Sequence, residues 1–421
     1  MVKRIKKFLY FFVASYFKFF AGIYLRRWNP RVIVITGSQG KTTLLHLLES
    51  QVGERAIYSH FANSAFGISF HILGLKRESF AVFEWVIFAV MAPLRAFRKI
   101  NQEKLFVVEA DCDRPGEGKF VADLLRPSIT LWVSSSRSHA MNFKPLKGET
   151  IETAIAREFS NFAKQTKDKI VANGDVPEIK NALSCIPQEK ILYLRSGEYL
   201  KNYKIEKTST HFGINNSNYS FPYLLPKEVA VSLRMTQVLC DILNIQMDLS
   251  FSKFTLPPGR NSIFKGVHNT VLIDSSYNAL PDSVKAMLDL FTAYPNSRKI
   301  AVLGDMIEQG KYEKEEHEKL AEYLLATNFD TIILVGPRTH EHTFPVLLAS
   351  PKFLEKVFSF DRPDEALAFL KIKIIGGEAI LFKGARFLEG IVENLLANSD
   401  DAKFLPRREK VWQDRRTKWG V

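Results

Sequence analysis

The sequence predicts an α/β protein with two doubly wound units: a central P-loop-type domain and a Rossmann-like C-terminal domain, preceded by a short hydrophobic helix. Apolar, β-branched runs alternate with helical segments along most of the 421 residues, a pattern typical of parallel sheets covered by helices on both faces. A stretch with two prolines and a glycine, Leu256 to Arg260, separates two regions of this kind. The expected segments are therefore 1–30, 31–255, 256–398 and a basic tail, 399–421.

The strands of the two units follow from their apolar runs. In the central domain we expect strands at Val32–Ile35, Leu105–Val108, Ile129–Val133 and Lys169–Ala172, short antiparallel strands within 198–225, and a helix over Lys227–Leu243. In the C-terminal domain we expect strands at Thr270–Ile273, Lys299–Leu303, Thr331–Val335 and Ala379–Phe382, and a helix over Glu313–Ala326. The tail after Ala397 is expected to be a docking segment or only partly ordered.

Basic residues are concentrated at the two ends of the chain. Of the net charge of +13, residues 1–31 contribute +8 and residues 401–421 contribute +4 (seven basic minus three acidic), which leaves +1 for the body. This distribution argues against a nucleic-acid groove on the globular part. The three cysteines are too widely spaced to indicate a disulfide framework or a zinc site, so a reducing cytoplasm is expected.

The N-terminal helix combines an apolar stretch with flanking basic residues. Phe8 to Leu25 contains nine aromatic residues and only one charged residue, Lys18. The stretch is short for a membrane span, and spanning would place Lys3, Arg4, Lys6 and Lys7 outside. We favour a helix that lies on the inner membrane surface through residues 3–27; the alternative is a helix packed on the protein's own core. A second apolar stretch, Phe80 to Phe97, is either core or a further membrane-facing surface.

A glycine-rich turn between a buried strand and a helix indicates a polyphosphate site. The turn runs through Thr36-Gly-Ser-Gln-Gly-Lys-Thr-Thr43. Glycines let backbone N–H groups approach phosphates, and the helix N-terminus with Lys41 adds positive charge. The hydroxyl of Thr42 is placed to bind Mg²⁺. We therefore predict that ATP and Mg²⁺ bind here, through Gly37, Ser38, Gln39, Gly40, Lys41, Thr42 and Thr43. The alternative is a chance glycine turn.

Further polar residues follow the predicted strands, where the crevice of a parallel sheet is found. In the central domain these are Glu109, His139, and the pair Asn173 and Asp175, although a lone loop histidine or an Asn-Gly-Asp turn also occurs without function. In the C-terminal domain they form four clusters, any of which alone would be turn chemistry: Arg260; Asp274, Tyr277 and Asn278; Asp305 and Glu308; Lys383 and Arg386.

Together these motifs resemble the Mur ligase family, and most closely its D-alanyl-D-alanine-adding branch. The similarity extends from about Arg31 to Leu396. Besides the glycine turn, it is carried by V-V-E-A (107–110), N-G-D (173–175), P-G-R (258–260), D-S-S-Y-N-A-L-P-D-S (274–283), L-G-D-M-I-E-Q-G (303–310) and F-K-G-A-R (382–386).

The resemblance implies an ATP-dependent amide ligase of peptidoglycan precursor synthesis, which acts through an acyl phosphate on a muropeptide and D-Ala-D-Ala. It implies catalytic roles for Lys41, His139 and Arg260, and Mg²⁺ ligands in Thr42, Glu109 and His139. It further implies nucleotide contacts for Asn173, Asp175, Asp274, Tyr277 and Asn278, and contacts with the incoming amine substrate for Asp305, Glu308, Lys383 and Arg386. The two domains would close on each other, and a monomer is expected.

Three departures from the family pattern leave alternatives open. About 30 residues precede the P-loop strand where the family has a UDP-binding domain, which favours a lipid-linked precursor. Arg157 occupies the position of a lysine that is usually carbamylated, with Glu158 as a candidate substitute. Pro226-Lys-Glu228 replaces a His-Asn motif. The alternatives are a related ligase with another acceptor or amine donor, and a non-catalytic ATP-binding relative.

Overall fold

The computed structural model describes residues 2–60, 62–77 and 82–421, and the side chains in these ranges except those of residues 2–8 and 82. The chain forms two compact units. The first contains residues 1–136, 142–198 and 231–254, and the second contains residues 137–141, 199–230 and 255–421.

A parallel six-stranded sheet is the centre of the first unit. Its strands are β1 (Arg31–Thr36), β2 (Ala56–Tyr58), β3 (Leu105–Ala110), β4 (Ile129–Trp132), β5 (Lys169–Asn173) and β6 (Ile191–Leu194). They lie in the order β2-β3-β1-β4-β5-β6, and all neighbours are parallel. The chain continues to β3 on one side of β1 and to β4 on the other. The carboxyl end of β1 is therefore a topological switch point, where open α/β sheets bind their ligands.

Helices cover this sheet. They are α1 (Val2–Trp28), α2 (Lys41–Val52), α3 (Ala65–Leu73), α4 (Val82–Ala96), α5 (Glu117–Leu125), α6 (Ile151–Lys164), α7 (Pro177–Ala182), α8 (Ser196–Tyr199) and α9 (Val229–Leu243). The boundaries between the two units fall within α8 and α9. Helix α2 starts at Lys41, directly after the glycine turn, because Gly40 is in the left-handed conformation at its N-cap.

The second unit contains an antiparallel sheet of three strands and a larger sheet of six. The strands are β7 (Leu200–Ile205), β8 (Thr210–Ile214), β9 (Ser217–Phe221), β10 (Ser262–Lys265), β11 (Val271–Ser275), β12 (Lys299–Gly304), β13 (Thr331–Val335), β14 (Val357–Phe360) and β15 (Ala379–Lys383). The larger sheet has the order β10-β11-β15-β12-β13-β14, in which only β10 is antiparallel to its neighbour.

Both faces of the larger sheet are buried. Ala301 and Leu303 of β12 belong to one core cluster, and Ile300 and Val302 belong to the other, as the two-residue period of a strand requires. The covering helices are α10 (Pro281–Ala293), α11 (Glu313–Leu325), α12 (Phe344–Leu348), α13 (Pro363–Lys373), α14 (Leu388–Leu395) and α15 (Lys410–Thr417).

The predicted fold class and every predicted strand are confirmed, with small differences at the ends. β3 and β11 extend beyond their apolar runs. Glu109 and Asp274 are therefore the second-to-last residues of these strands and do not follow them. The helix expected at 227–243 begins at Val229. The apolar stretch expected from Phe80 forms α4, although Phe80 itself lies outside the described residues. The tail includes α15, whose Arg416 is buried and pairs with Glu393 of α14.

The N-terminal helix has one buried and one exposed face. Ala14, Phe17, Ala21 and Tyr24 are buried, and the Tyr16 hydroxyl donates a hydrogen bond to the Ala89 carbonyl of α4. The helix therefore packs on the first unit along one side, as the core alternative predicted for that side. In the part of the chain that the structure describes, no helix is both long enough and apolar enough to cross a membrane.

Candidate active site

The glycine turn is braced by the segment after β4. The Gln39 amide donates to Ser134 Oγ, and that hydroxyl donates back to the Gln39 carbonyl, each at 2.8 Å. The Ser38 hydroxyl donates to the Ser136 carbonyl at 3.0 Å and accepts from the Ser136 amide at 2.9 Å. At Gly37, φ is +134°, and a Cβ would lie 2.6 Å from the Ser134 carbonyl oxygen. Only glycine fits this close approach.

Lys41 is buried and ion-paired. Its Nζ lies 2.8 Å from Asp111 Oδ2 and donates to the Gly37 carbonyl. Burial alone would lower the pKa of Lys41, but Asp111 and Glu109 outweigh burial and raise it. The P-loop lysine is therefore charged before any phosphate arrives. Asp111 directly follows β3 and was not predicted from the sequence, although its position beside the V-V-E-A strand end could have suggested it.

Thr42 and Glu109 form the second contact of the turn. The Thr42 hydroxyl donates to Glu109 Oε2 at 2.9 Å, and the Glu109 amide donates to the Ser59 hydroxyl at 2.9 Å. A hydroxyl and a carboxylate this close present hard oxygen atoms of the kind that Mg²⁺ prefers. The predicted pair is thus brought together at the carboxyl ends of the neighbouring strands β1 and β3, beside the switch point.

The remaining predicted residues of the first unit have mainly local contacts. Asn173 donates through Nδ2 to the Val133 carbonyl at 2.9 Å, and Asp175 Oδ2 accepts from the Ser196 amide. Arg157 pairs with Glu149 at 3.3 Å. Glu158 Oε1 accepts from the Gly116 amide at 2.9 Å, which places this carboxylate at the start of α5, in the segment that follows Asp111.

In the second unit, the ends of β11 and β15 bring together a buried acid and a buried lysine. Lys383 lies 3.4 Å from the Asn278 side-chain oxygen, and Arg260 stacks on the ring of Tyr277 at 4.6 Å. Burial and the nearby Arg260 lower the pKa of Lys383 to about 7, an effect that Asp274 partly offsets. Burial raises the pKa of Asp274 to about 6. Burial thus moves the pKa values of both groups toward neutral pH.

The basic tail contributes a residue that the sequence did not predict. Arg407 donates to the Tyr277 carbonyl at 2.7 Å and pairs with the buried Glu389 of α14 at 3.2 Å. This side chain holds the loop that carries Tyr277. The tail was expected to dock or to be partly ordered, and charge alone gave no indication that one of its arginines would reach a strand end.

Asp305 is buried and holds two arginines. Its Oδ2 accepts from Arg386 at 2.8 Å and lies 3.3 Å from Arg338, while Oδ1 accepts from the backbone amide of Thr339 at 3.0 Å. These contacts of the Asp305 oxygens are made within the protein, so its geometry is that of a residue that positions Arg386. Gly304 and Gly384 permit this arrangement, because a Cβ on Gly384 would lie 2.3 Å from the Gly304 nitrogen.

His139 and Glu308 meet in the second unit, with His139 Nδ1 at 2.7 Å from Glu308 Oε2. The sequence had assigned the first to the metal and the second to the substrate. His139, Glu308 and Arg386 all have positive φ, at 51°, 70° and 82°. Such backbone strain in non-glycine residues is uncommon and is concentrated at functional sites.

Two family models match this chain. The Mur ligase middle domain matches residues 35–229, and the glutamate ligase domain of Mur ligases matches residues 259–386. Together they include the glycine turn, both strand-end clusters of the second unit and most of the two sheets.

Relatives and solved structures agree with these matches. The UDP-N-acetylmuramoyl-tripeptide–D-alanyl-D-alanine ligase of Rickettsia prowazekii is 25% identical over 376 residues, which cover 85% of this chain and 76% of that enzyme. The Bacillus subtilis ligase of the same name is 24% identical, over 89% of this chain and 78% of its own.

The fold is similar to that of MurF from Acinetobacter baumannii, with a TM-score of 0.71 and 18% identity over 91% of this chain and 80% of that one. It is also similar to MurF ligase from Thermotoga maritima in complex with ADP, with a TM-score of 0.68 and 20% identity over 90% and 82% of the two chains. The predicted family is confirmed: this chain belongs to the Mur ligase family and is an ATP-dependent ligase of peptidoglycan precursor synthesis.

Proposed function

We propose that this ligase joins D-alanyl-D-alanine to a muramoyl-tripeptide, with ATP and Mg²⁺. The observation that carries the proposal is the glycine turn, in which Lys41 is held charged by Asp111 and Thr42 lies against Glu109. Such a turn suits a metal-bound polyphosphate, and the relatives from Rickettsia prowazekii and Bacillus subtilis are named as ligases that add this dipeptide.

The first unit would carry the phosphoryl transfer. The tripeptide carboxylate attacks the γ-phosphorus of ATP, the bond to the β,γ-bridging oxygen breaks, and ADP and an acyl phosphate form. Lys41 and the amides of the turn stabilise the charge that develops on the phosphate oxygens. Thr42 and Glu109 would hold Mg²⁺, which supplies further charge neutralisation when it is bound. Glu158 of this unit is a further candidate for positioning a metal, and so is His139 of the second unit.

The second unit would bind the amine substrate and part of the nucleotide. The amine of the dipeptide attacks the acyl carbon, and the tetrahedral intermediate expels phosphate, which leaves an amide. Lys383 and Arg386 offer cationic donors for the carboxylate of the dipeptide, and Asp305 and Glu308 are further candidates for binding this substrate. In this unit, Arg260 is the candidate for contact with phosphate, and Asp274, Tyr277 and Asn278 are candidates for contact with the nucleoside. In the first unit, Asn173 and Asp175 are the candidates for contact with the nucleoside.

Phosphate release by the purified full chain tests this proposal. We expect release only when ATP, Mg²⁺, D-Ala-D-Ala and a muramoyl-tripeptide are all present, and the new amide should be detected by mass spectrometry. L-Ala-L-Ala serves as the matched control for the dipeptide. ATP binding without phosphate release from any tripeptide would favour a non-catalytic relative, and release with another amine would change the assigned donor.

We further propose that this ligase works as a monomer on the cytoplasmic surface of the membrane, on a lipid-linked precursor. Contact with the membrane is supported by an exposed apolar face on α1 and α4. On α1, Phe12 and Phe19 are 68% and 60% exposed. On α4, Phe83, Val86 and Val90 are each more than 60% exposed. Arg26 and Arg27 lie in the last turn of α1, where they would contact anionic headgroups.

Vesicle flotation separates this second proposal from the first. The wild-type chain should float with vesicles that contain phosphatidylglycerol, and the double variant Val86→Glu, Val90→Glu should stay in the soluble fraction while it retains ATP binding. The matched control is Leu249→Glu, at an exposed apolar residue that belongs to neither helix. If both variants float equally well, α4 does not face lipid. Comparison of UDP-linked with lipid-linked tripeptide then identifies the precursor, and size-exclusion chromatography identifies the oligomeric state.

A further inference from the structure

Two histidines and a glutamate form a cluster on the first unit that the ligase reaction does not use. His46 and Glu49 lie on α2, and His60 follows β2. His60 Nε2 lies 3.0 Å from Glu49 Oε1, and His46 Nδ1 lies 3.6 Å from Glu49 Oε2. One ligand atom from each residue lies within 4.8 Å of those of the other two.

We propose that His46, Glu49 and His60 bind a divalent transition-metal ion of the zinc class. In a tetrahedral zinc site, ligand atoms about 2.0–2.2 Å from the ion lie roughly 3.4 Å from one another. The two separations from Glu49, 3.0 and 3.6 Å, lie on either side of this value, and the three ligand atoms all lie within 4.8 Å of one another. Two imidazoles and one carboxylate leave the fourth position open to water.

The donor set distinguishes this ion from Mg²⁺. Imidazole nitrogen suits Zn²⁺, Co²⁺ and Ni²⁺, whereas Mg²⁺ takes oxygen ligands. The ring centroids of His46 and His60 lie 5.2 Å apart, and both rings contact the carboxylate of Glu49. Neutral rings that bind a dication, with Glu49 as the counter-charge, satisfy all three side chains at once.

The position of the cluster gives the ion a structural effect on the glycine turn. Thr42, His46 and Glu49 are spaced four and three residues apart, so they lie along one face of α2. His60 adjoins Ser59, whose hydroxyl accepts the hydrogen bond from the Glu109 amide. An ion bound by the cluster would fasten the helix that carries Thr42 to the segment that holds Glu109. It would thereby fix the distance between Thr42 and Glu109.

Cobalt titration of the metal-free full chain, without a histidine tag, tests the site. We expect one equivalent of Co²⁺ to give the visible absorption of a four- or five-coordinate site, and Zn²⁺ to displace it. Zn²⁺ should also raise the Tm by a few °C, because the ion binds only the folded state. Mg²⁺ at the same concentration should do neither.

Variants separate the cluster from adventitious binding. Glu49→Gln and His60→Gln should each weaken Co²⁺ binding by at least about 100-fold, since even loss of an outer partner of a metal ligand costs 10–100-fold. His211→Gln, at a histidine of the second unit that pairs with Glu206, is the matched control and should bind like wild type. Glu49→Gln preserves the shape of the side chain, and its Tm without metal shows whether it folds. Equal Co²⁺ binding by wild type and both cluster variants would overturn the proposal, as would no binding by wild type at 100 µM Co²⁺, a concentration of order 10⁻⁴ M that a site of this kind should saturate.

Discussion

Each of the two units of this ligase buries a lysine at the end of a strand or turn, and the pKa values of these two lysines are shifted in opposite directions. Lys41 lies against Asp111, and its pKa is raised. Lys383 lies near Arg260, and its pKa is lowered to about 7. Burial acts on both in the same direction, so the difference comes from the neighbouring charges.

This difference indicates how each unit is prepared for its ligand. The glycine turn holds a compensated cation, which a phosphate can take over from Asp111 without a change of protonation. In the second unit, the negative charge near Lys383 does not fully balance its own charge and that of Arg260. An incoming carboxylate would supply the missing negative charge. Binding of an anionic substrate should therefore restore the ordinary charge state of Lys383, whereas Lys41 needs no such restoration.

The largest expected effect is the loss of turnover on substitution of Lys41, the lysine paired with Asp111. Lys41→Ala should lower turnover by at least about 10²–10³-fold, because it removes a fixed positive charge from the phosphate oxygens in the transition state. It also leaves Asp111 buried without its cation, so the Tm of the variant must be measured beside the rate of phosphate release. Lys119→Ala, at an exposed lysine of α5 that pairs with Asp123, should keep both. A fully active Lys41→Ala would remove the glycine turn from the mechanism.

The sequence was sufficient for the first of these sites because its chemistry is contiguous. One strand, one turn and one helix start supply Gly37, Lys41 and Thr42, and a single short-range motif specifies their geometry. Glu109 could be added because it lies at the end of a buried strand. Asp111 and Ser134 were missed, since their function depends on which strand neighbours β1, and strand order is not encoded locally.

The second site is less accessible to sequence reasoning because it is assembled from distant segments. The strand-end residues Asp274 and Lys383 were found, since β11 and β15 both read as apolar runs that end in polar residues. The contact between Arg407 and Glu389 was not, because neither residue is near a strand end in the sequence. The pairing of His139 with Glu308 was missed because the two residues are far apart in the sequence, although each was predicted to follow a strand.

The ion pair of the tail should have the next largest effect, on stability. Arg407→Ala leaves Glu389 fully buried without its partner, and we expect the free energy of unfolding of the second unit to fall by about 3 kcal/mol. Urea denaturation measures this change. Arg415→Ala, at an exposed arginine of the same tail, should change the free energy of unfolding by less than about 0.5 kcal/mol. Equal effects of the two variants would mean that the tail contributes only through its general charge.

The lowered pKa of Lys383 predicts that the stability of the protein depends on pH. The folded state loses the Lys383 proton near pH 7, whereas the unfolded chain keeps it up to the ordinary value of 10.5. The unfolded state thus binds more protons between these values, and stability should rise with pH across this window.

Lys383→Met removes this dependence and should flatten the rise in Tm between pH 7 and pH 10 by several °C. Lys371→Met, at an exposed lysine of α13, should leave the slope as it is in wild type. D-Ala-D-Ala should also reduce the slope in the wild type, because a carboxylate beside Lys383 favours its charged form. Identical slopes in wild type and Lys383→Met would show that the lysine keeps its ordinary pKa and that the contrast between the two units is absent.

The smallest expected effect concerns the brace of the glycine turn. Ser134→Ala removes two hydrogen bonds to Gln39 but leaves Lys41 and Asp111 in place. Together the two bonds contribute about 1 kcal/mol, or about 0.5 kcal/mol each, to holding the loop in its binding conformation, so the Kd for ATP should rise about 5-fold while the maximal rate stays close to that of wild type. Ser184→Ala, which removes a serine-to-backbone hydrogen bond on the surface of the same unit, should not change the Kd. A fall in the maximal rate with an unchanged Kd would mean that Ser134 acts on the transition state instead, and that the turn is not preformed in the way that the Lys41–Asp111 pair suggests.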